Sequence, residues 1–223
     1  MHRANDALWA STGLGGELDR TKGVEEIWRH ESLLVSQACG LDLFLNDAPI
    51  EPFAVPVFDL ASAPKHYFSF IVGDVNGSRA AVNSLSSRSG YSALLTVCEP
   101  EEELLVTGSH LASLAALREG RADVAAIDAV TWGIVERTAP ELLRGIEVVA
   151  RSSEALAPPY VTRRGKDTSK LLERLSTAVQ MSPDASRQLG LVGVEPVGRE
   201  DYRPILEEYK RVNARRLSLS VPA

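Results

Sequence analysis

Four short stretches of this chain gather residues that can do chemistry with an anion. The first is Ser87-Arg88-Ser89-Gly90-Tyr91. It follows the apolar run Ala80-Ala81-Val82 and leads into Ser92-Ala93-Leu94-Leu95-Thr96-Val97, so it reads as the turn between a buried strand and a helix. Ser87 or Ser89 stands where an N-cap belongs. Gly90 has no Cβ, so a ligand can approach the backbone there. The first turn of a helix leaves N–H groups unpaired at the positive end of the macrodipole. Ringed by serine hydroxyls, such a start can hold an anion. The same pattern by itself also fits an ordinary capped helix.

The other three stretches end apolar runs. Gln37-Ala38-Cys39-Gly40 follows Leu33-Leu34-Val35, Thr107-Gly108-Ser109-His110 follows Leu104-Leu105-Val106, and Asp128 follows Val124-Ala125-Ala126-Ile127. Packing alone asks for no polar group at these places. Each residue still has a second reading. Ser109 and Asp128 can cap the helices that begin after them. His110 can be a surface histidine and Cys39 a small buried residue. Tyr91 can lie over a ligand or pack inside its lobe, and Trp28 and Trp132 read as core.

The elements that must position these residues follow from periodicity. Strands are predicted at Leu33–Cys39, Phe53–Phe58, His66–Val72, Ala80–Val82, Leu104–Thr107, Val124–Ile127, Ile146–Ala150 and Tyr160–Thr162. Helices are predicted at Asn5–Ala10, Val24–His30, Ser92–Val97, Leu111–Glu119, Ala129–Arg137, Asp167–Met181, Pro183–Gly190 and Asp201–Val212. Alternation of this kind demands a parallel sheet covered on both faces. Ligands of such sheets lie outside the carboxyl ends of the strands, where the four polar stretches fall.

Composition narrows the function. The chain has 223 residues, 44% of them hydrophobic and 24% charged, which suits a packed core and argues against disorder. A net charge of −6 without any basic block argues against nucleic acid as partner. Cys39 and Cys98 lack zinc-site spacing, so no metal and no cofactor is expected. No run of about 18 apolar residues exists, so no membrane insertion is expected. The polar start Met1-His2-Arg3-Ala4-Asn5-Asp6 has no signal-peptide core. As written the chain reads as cytoplasmic, and as periplasmic if the N-terminus is incomplete.

Three motifs together resemble the phosphate/phosphonate-type substrate-binding proteins of ABC transporters. One is Asn83 through Ser87, Ser89, Gly90 and Tyr91. The second is Thr107-Gly108-Ser109-His110-Leu111-Ala112-Ser113-Leu114 running into Glu119-Gly120-Arg121-Ala122-Asp123-Val124-Ala125-Ala126-Ile127-Asp128. The third is Pro159-Tyr160-Val161-Thr162. The resemblance spans about Leu33 to Thr162 and lacks the strand with which the family's chains begin. It implies an α/β, two-lobed type 2 periplasmic-binding fold, each lobe a mostly parallel sheet flanked by helices. Lobe 1 would comprise residues 1–70 plus 162–223 and lobe 2 residues 71–161, with crossings near 67–73 and 158–162.

The resemblance further implies that Ser87, Ser89, Gly90 and Tyr91 cradle phosphonate, phosphate or carboxylate oxygens in a cleft between lobes. Ser109 and His110 would form a second helix start on that cleft, and Asp128 would sit near the ligand. Gln37 and Cys39 would face it from the other lobe. The expected partners are a small anionic ligand and an ABC transporter permease. No catalytic residue is expected, since no triad spacing and no Gly-x-Ser-x-Gly motif is present. An enzyme or a ligand-free regulatory protein on the same fold is the alternative.

Overall fold

The computed structural model describes residues 2–100 and 104–219. From the amino end come helices α1 (His2–Ser11) and α2 (Val24–Arg29), strand β1 (Ser36–Gln37), helix α3 (Asp42–Leu45) and the long strand β2 (Ile50–Phe58). Strands β3 (His66–Tyr67), β4 (Ser69–Gly73) and β5 (Ala80–Val82) follow, then a π-helical turn at Arg88–Ser92 that runs into α4 (Ala93–Leu95). Next are β6 (Leu105–Val106), α5 (His110–Arg118), β7 (Val124–Asp128), α6 (Ala129–Thr138), β8 (Val148–Arg151), β9 (Ala155–Leu156) and β10 (Tyr160–Arg163). The chain closes with α7 (Ser169–Met181), α8 (Pro183–Leu189), β11 (Leu191–Pro196) and α9 (Arg203–Leu219). In the sequence Glu99 to Glu103 also reads as an acidic, proline-containing turn before β6, and part of it lies outside the described residues.

These elements form two compact units. Unit 1 comprises Met1–His66 with Leu156–Tyr202, and unit 2 comprises Tyr67–Ala155 with Arg203–Ala223. The sequence reading put the last helix in lobe 1, and its position corrects that. Val212 and Tyr209 of α9 belong to the same apolar cluster as Ile71, Val82, Leu94 and Ala126. The apolar face of this helix therefore completes unit 2.

Unit 1 holds a four-stranded sheet of order β1-β10-β2-β11. All three pairings are antiparallel, where the sequence reading expected mostly parallel strands. The reason is topological: β2 carries the chain out of the unit and β10 brings it back alongside. Helix α7 covers the sheet through Leu171, Leu175, Ala178 and Val179, buried at the 3.6-residue period. Burying Leu171 and Leu175 stabilises the unit by about 1.5–3 kcal/mol each. The strand expected over Leu33–Cys39 contracts to β1. Ahead of it, Lys166 Nζ donates to Leu33 O, a carbonyl that a neighbouring strand would otherwise use.

Unit 2 holds a five-stranded sheet of order β6-β5-β7-β4-β8. Strand β5 is parallel to both β6 and β7, while β4 is antiparallel to both β7 and β8. Both faces are buried at the central strands β5 and β7, which the unbroken apolar runs Ala80–Val82 and Val124–Ile127 require. Alternate residues point to opposite faces. Ile71, Ala80, Val82, Val124 and Ala126 pack with α4 and α9 on one side. Val72, Ala81, Ala125 and Ile127 pack with Leu114 and Ala116 of α5 and Val135 of α6 on the other.

Candidate functional site

Because β5, β6 and β7 run parallel, their carboxyl ends share one edge of the unit 2 sheet. The loops there are stitched together by backbone bonds, Thr107 N to Val82 O at 2.8 Å and Gly108 N to Asn83 O at 3.0 Å. Thr107 Oγ1 adds bonds to Val82 O and to Ser113 Oγ of α5. Two helix starts and the end of β7 are thereby fixed side by side.

The first helix start is wider than an α-turn. Tyr91 N and Ser92 N both donate to Ser87 O, at 3.0 and 3.1 Å, and the second of these bonds makes the turn π. Ser87 is the cap: its Oγ accepts from Gly90 N at 3.0 Å. Among the described residues, the amides of Arg88 and Ser89 have no protein partner. They are the donors this turn can offer a ligand. Gly90 was expected to let a ligand approach. What approaches instead is Asn83: a Cβ at Gly90 would stand 1.8 Å from Asn83 Oδ1. That oxygen is buried and has no hydrogen-bond partner among the described residues, as is also true of Ser69 Oγ and Ser92 Oγ.

The second helix start belongs to α5. Ser109 caps it, its Oγ accepting from Ala112 N at 3.1 Å. His110 turns back across the sheet edge. Its Nδ1 lies 3.0 Å from Ala126 O, so that nitrogen carries the proton and donates to the carbonyl. Nε2 lies 2.9 Å from Ser89 Oγ and 3.4 Å from Asp128 Oδ2. In the neutral ring Nε2 accepts the Ser89 hydroxyl proton; a protonated ring would face the Asp128 carboxylate. The other oxygen of Asp128, Oδ1, accepts from Thr131 N at 2.8 Å and caps α6. For Asp128 the cap reading holds, and capping through Oδ1 leaves Oδ2 facing His110.

Five expected site residues, Ser87, Ser89, Gly90, His110 and Asp128, thus meet in one cluster of unit 2, with Ser109 exposed beside them. Tyr91 points elsewhere. Its ring packs on Tyr209 and its hydroxyl donates to Asn213 Oδ1 at 2.6 Å, so it belongs to the α9 side of the unit 2 core. Gln37 and Cys39 lie in unit 1. Gln37 is exposed and pairs with Tyr160, while Cys39 N donates to Asp42 Oδ2 at 3.0 Å. Trp28 is buried in unit 1, and Trp132 packs on Phe70 in unit 2.

Arg88 is the residue whose direction the sequence left open. Its side chain is fully buried and reaches Glu208 of α9, Nε to Oε1 at 3.1 Å. An arginine between two site serines was a visible signal; Glu208, 120 residues further on, carried none. Among the described residues no group of three His, Cys, Asp or Glu side chains is placed to hold a metal. No helix among them is long and apolar enough to cross a membrane.

Residues 71–202, more than half of the chain, match the family model of the periplasmic substrate-binding protein of phosphonate ABC transporters. No curated protein matches the sequence. Among solved structures, the binding-protein component of an ABC phosphonate transporter from Pseudomonas aeruginosa aligns with a TM-score of 0.72. It is 16% identical, over 94% of this chain and 80% of its own. PhnD1 from Prochlorococcus marinus, solved in complex with methylphosphonate, aligns with a TM-score of 0.71. It is 15% identical, over 95% of this chain and 91% of its own. XAC2383 from Xanthomonas citri, solved with chloride, gives a TM-score of 0.62 at 15% identity over 86% and 82% of the two chains. At these identities the neighbours speak for the fold, which is the type 2 periplasmic-binding fold, and the family model speaks for descent: this chain belongs to the phosphonate-type substrate-binding proteins of ABC transporters.

Proposed function

We propose that the chain binds a small oxyanion, a phosphonate or phosphate, at the carboxyl edge of the unit 2 sheet. It would carry that ligand to an ABC transporter permease, or report its presence as a sensor. The observation that carries this reading is the Ser89–His110 bond of 2.9 Å beside the unpartnered amides of Arg88 and Ser89. The two amides are donors that oxyanions take, and the Ser89 hydroxyl becomes a third when it turns from His110 Nε2 to the ligand; charge-assisted bonds of this kind are about twice as strong as neutral ones. An amine on the same ligand, as in an aminoalkylphosphonate, has a partner in the Asp128 carboxylate, and the His110 ring is the group that carboxylate otherwise faces. Membership of the family makes the periplasm its expected place of work.

Titration calorimetry and thermal shift with methylphosphonate, phosphate, methylsulfonate and acetate test the reading. Ligand at a hundred times its Kd raises stability by about 2.7 kcal/mol. Loss of one charge-assisted bond in Ser89→Ala or His110→Ala weakens binding roughly ten- to a hundredfold. No response to any of these anions overturns it.

A serine donating to a histidine is also how a nucleophile meets its base, which favours an acyl- or phosphoryl-transfer enzyme as second reading. Against it, Asp128 faces Nε2, the nitrogen that Ser89 uses, while Nδ1 is held by a neutral carbonyl. In the serine triad the carboxylate holds Nδ1. Steady turnover of p-nitrophenyl acetate or phosphate, lost in Ser89→Ala, would support the enzyme instead.

A further inference from the structure

The only side chain between the two cradle serines is that of Arg88, and it turns away from them into the body of unit 2. It is 0% exposed. Nε and Nη2 donate to Glu208 at 3.1 and 3.4 Å, and Nη2 donates also to Ser153 O at 2.8 Å and Ser153 Oγ at 2.9 Å. Ser153 Oγ donates in turn to Glu208 Oε2 at 3.2 Å. The guanidinium carbon stands 5.8 Å from the centre of the Tyr67 ring. Nη1 is buried and has no partner among the described residues.

A buried ion pair is a poor way to gain stability, because apolar residues of the same volume often do as well or better. The guanidinium belongs to the residue whose own amide, like that of Ser89, has no protein partner among the described residues, and this gives the pair another consequence. The turn could bring a full positive charge to its ligand, yet the Glu208 carboxylate cancels it from behind. We propose, on the reading that this turn binds an anion, that the Arg88–Glu208 pair is the specificity determinant for ligand charge. Arg88 and Glu208 act through the field at the amides of Arg88 and Ser89 without touching the ligand. With the pair intact the side chains beneath the turn contribute no net charge. The cradle then selects by hydrogen bonding and holds singly charged oxyanions nearly as well as doubly charged ones.

The test compares affinities for methylsulfonate, a monoanion, and for phosphate at pH 8, mostly a dianion, by calorimetry. At about 7 Å and an effective dielectric of about 20, one uncompensated charge changes the preference between the two by tenfold or more. Glu208→Gln leaves Arg88 uncancelled and should raise the phosphate-to-methylsulfonate affinity ratio at least tenfold, with a steeper loss of phosphate affinity as salt is added. Arg88→Gln leaves the carboxylate and should shift the ratio the other way; it stands as the test if Glu208→Gln does not fold. The paired variant Arg88→Gln/Glu208→Gln should return the wild-type ratio. A purely structural pair would weaken both ligands by one common factor and leave the ratio flat in every variant, and that result overturns the proposal. A wild-type protein that binds neither probe overturns instead the anion-binding reading on which it rests.

Discussion

Replacing Gly90 by alanine tests the geometry of the cradle directly. The added carbon would lie 1.8 Å from Asn83 Oδ1, 3.0 Å from Asn83 Cγ and 3.3 Å from Asn83 N. A carbon–oxygen contact settles near about 3.4 Å, so the shortfall is about 1.6 Å. Turning the amide over exchanges oxygen for nitrogen at the same place and leaves Cγ where it was. Either Asn83 moves or the π-helical turn lifts away from the end of β5. Overpacking of this kind costs about 1–3 kcal/mol of stability. If the turn lifts, the amides of Arg88 and Ser89 move with it. Each charge-assisted bond then lost is worth about 1.5–3 kcal/mol, so methylphosphonate affinity falls roughly ten- to a hundredfold for each one. The assay is a double-mutant cycle of wild type, Gly90→Ala, Asn83→Ala and the pair, followed by urea unfolding and calorimetry. Asn83→Ala removes the obstructing amide, so Gly90→Ala in that background should cost less than about 0.5 kcal/mol. Strictly additive costs would mean that Asn83 does not constrain Gly90, and the account of this turn would fail.

Three further outcomes follow from the same residues. Tyr91→Phe should cost about 0.5–1.5 kcal/mol of stability through the lost bond to Asn213 and leave methylphosphonate affinity unchanged; a large loss of affinity in calorimetry would return Tyr91 to the site. Burial, with a smaller push from Glu99, raises the Cys98 thiol from 9.0 to about 11. The unfolded chain therefore gives up this proton first, and about 2–3 kcal/mol of stability, fully present below pH 9, is lost as pH rises to 11. Urea midpoints at pH 8 and pH 10.5 should differ accordingly, and Cys98→Ala should flatten the difference. The same burial makes Cys98 slow to alkylate, so iodoacetamide at pH 8 should label the partly exposed Cys39 first, read by peptide mass.

Much of unit 2 was legible because its signals are local. The runs Ala80–Val82 and Val124–Ile127 are apolar on both faces, as strands sandwiched between layers must be. Ser109 and Asp128 stand one residue before their helices and cap them as read. What the sequence could not give depends on distant partners. Nothing near Glu208 marks it as the counter-ion of Arg88, and nothing near Tyr209 marks α9 as a part of unit 2. Gly90 reads in the sequence as a place where a ligand can come close, and the neighbour the structure sets against it is Asn83, seven positions earlier. Strand direction in unit 1 was misjudged for a similar reason. An apolar run predicts burial, and only the route of the chain through both units fixes whether β10 runs with or against β2.

The assignment of α9 to unit 2 bears on how the molecule is made. Between Ala155 and Arg203 the ribosome delivers the whole second segment of unit 1. Until that stretch has emerged, the guanidinium of Arg88 has no carboxylate and the Tyr91 hydroxyl no amide. One face of the unit 2 sheet also lacks Tyr209 and Val212. A nascent chain must therefore hold a half-covered sheet while a different unit is being finished, a period in which exposed apolar surface invites aggregation. Closing so long a loop comes late and slowly in folding. The turn at Arg88–Ser92 is thus among the last parts of the protein to mature, though it is encoded near the middle.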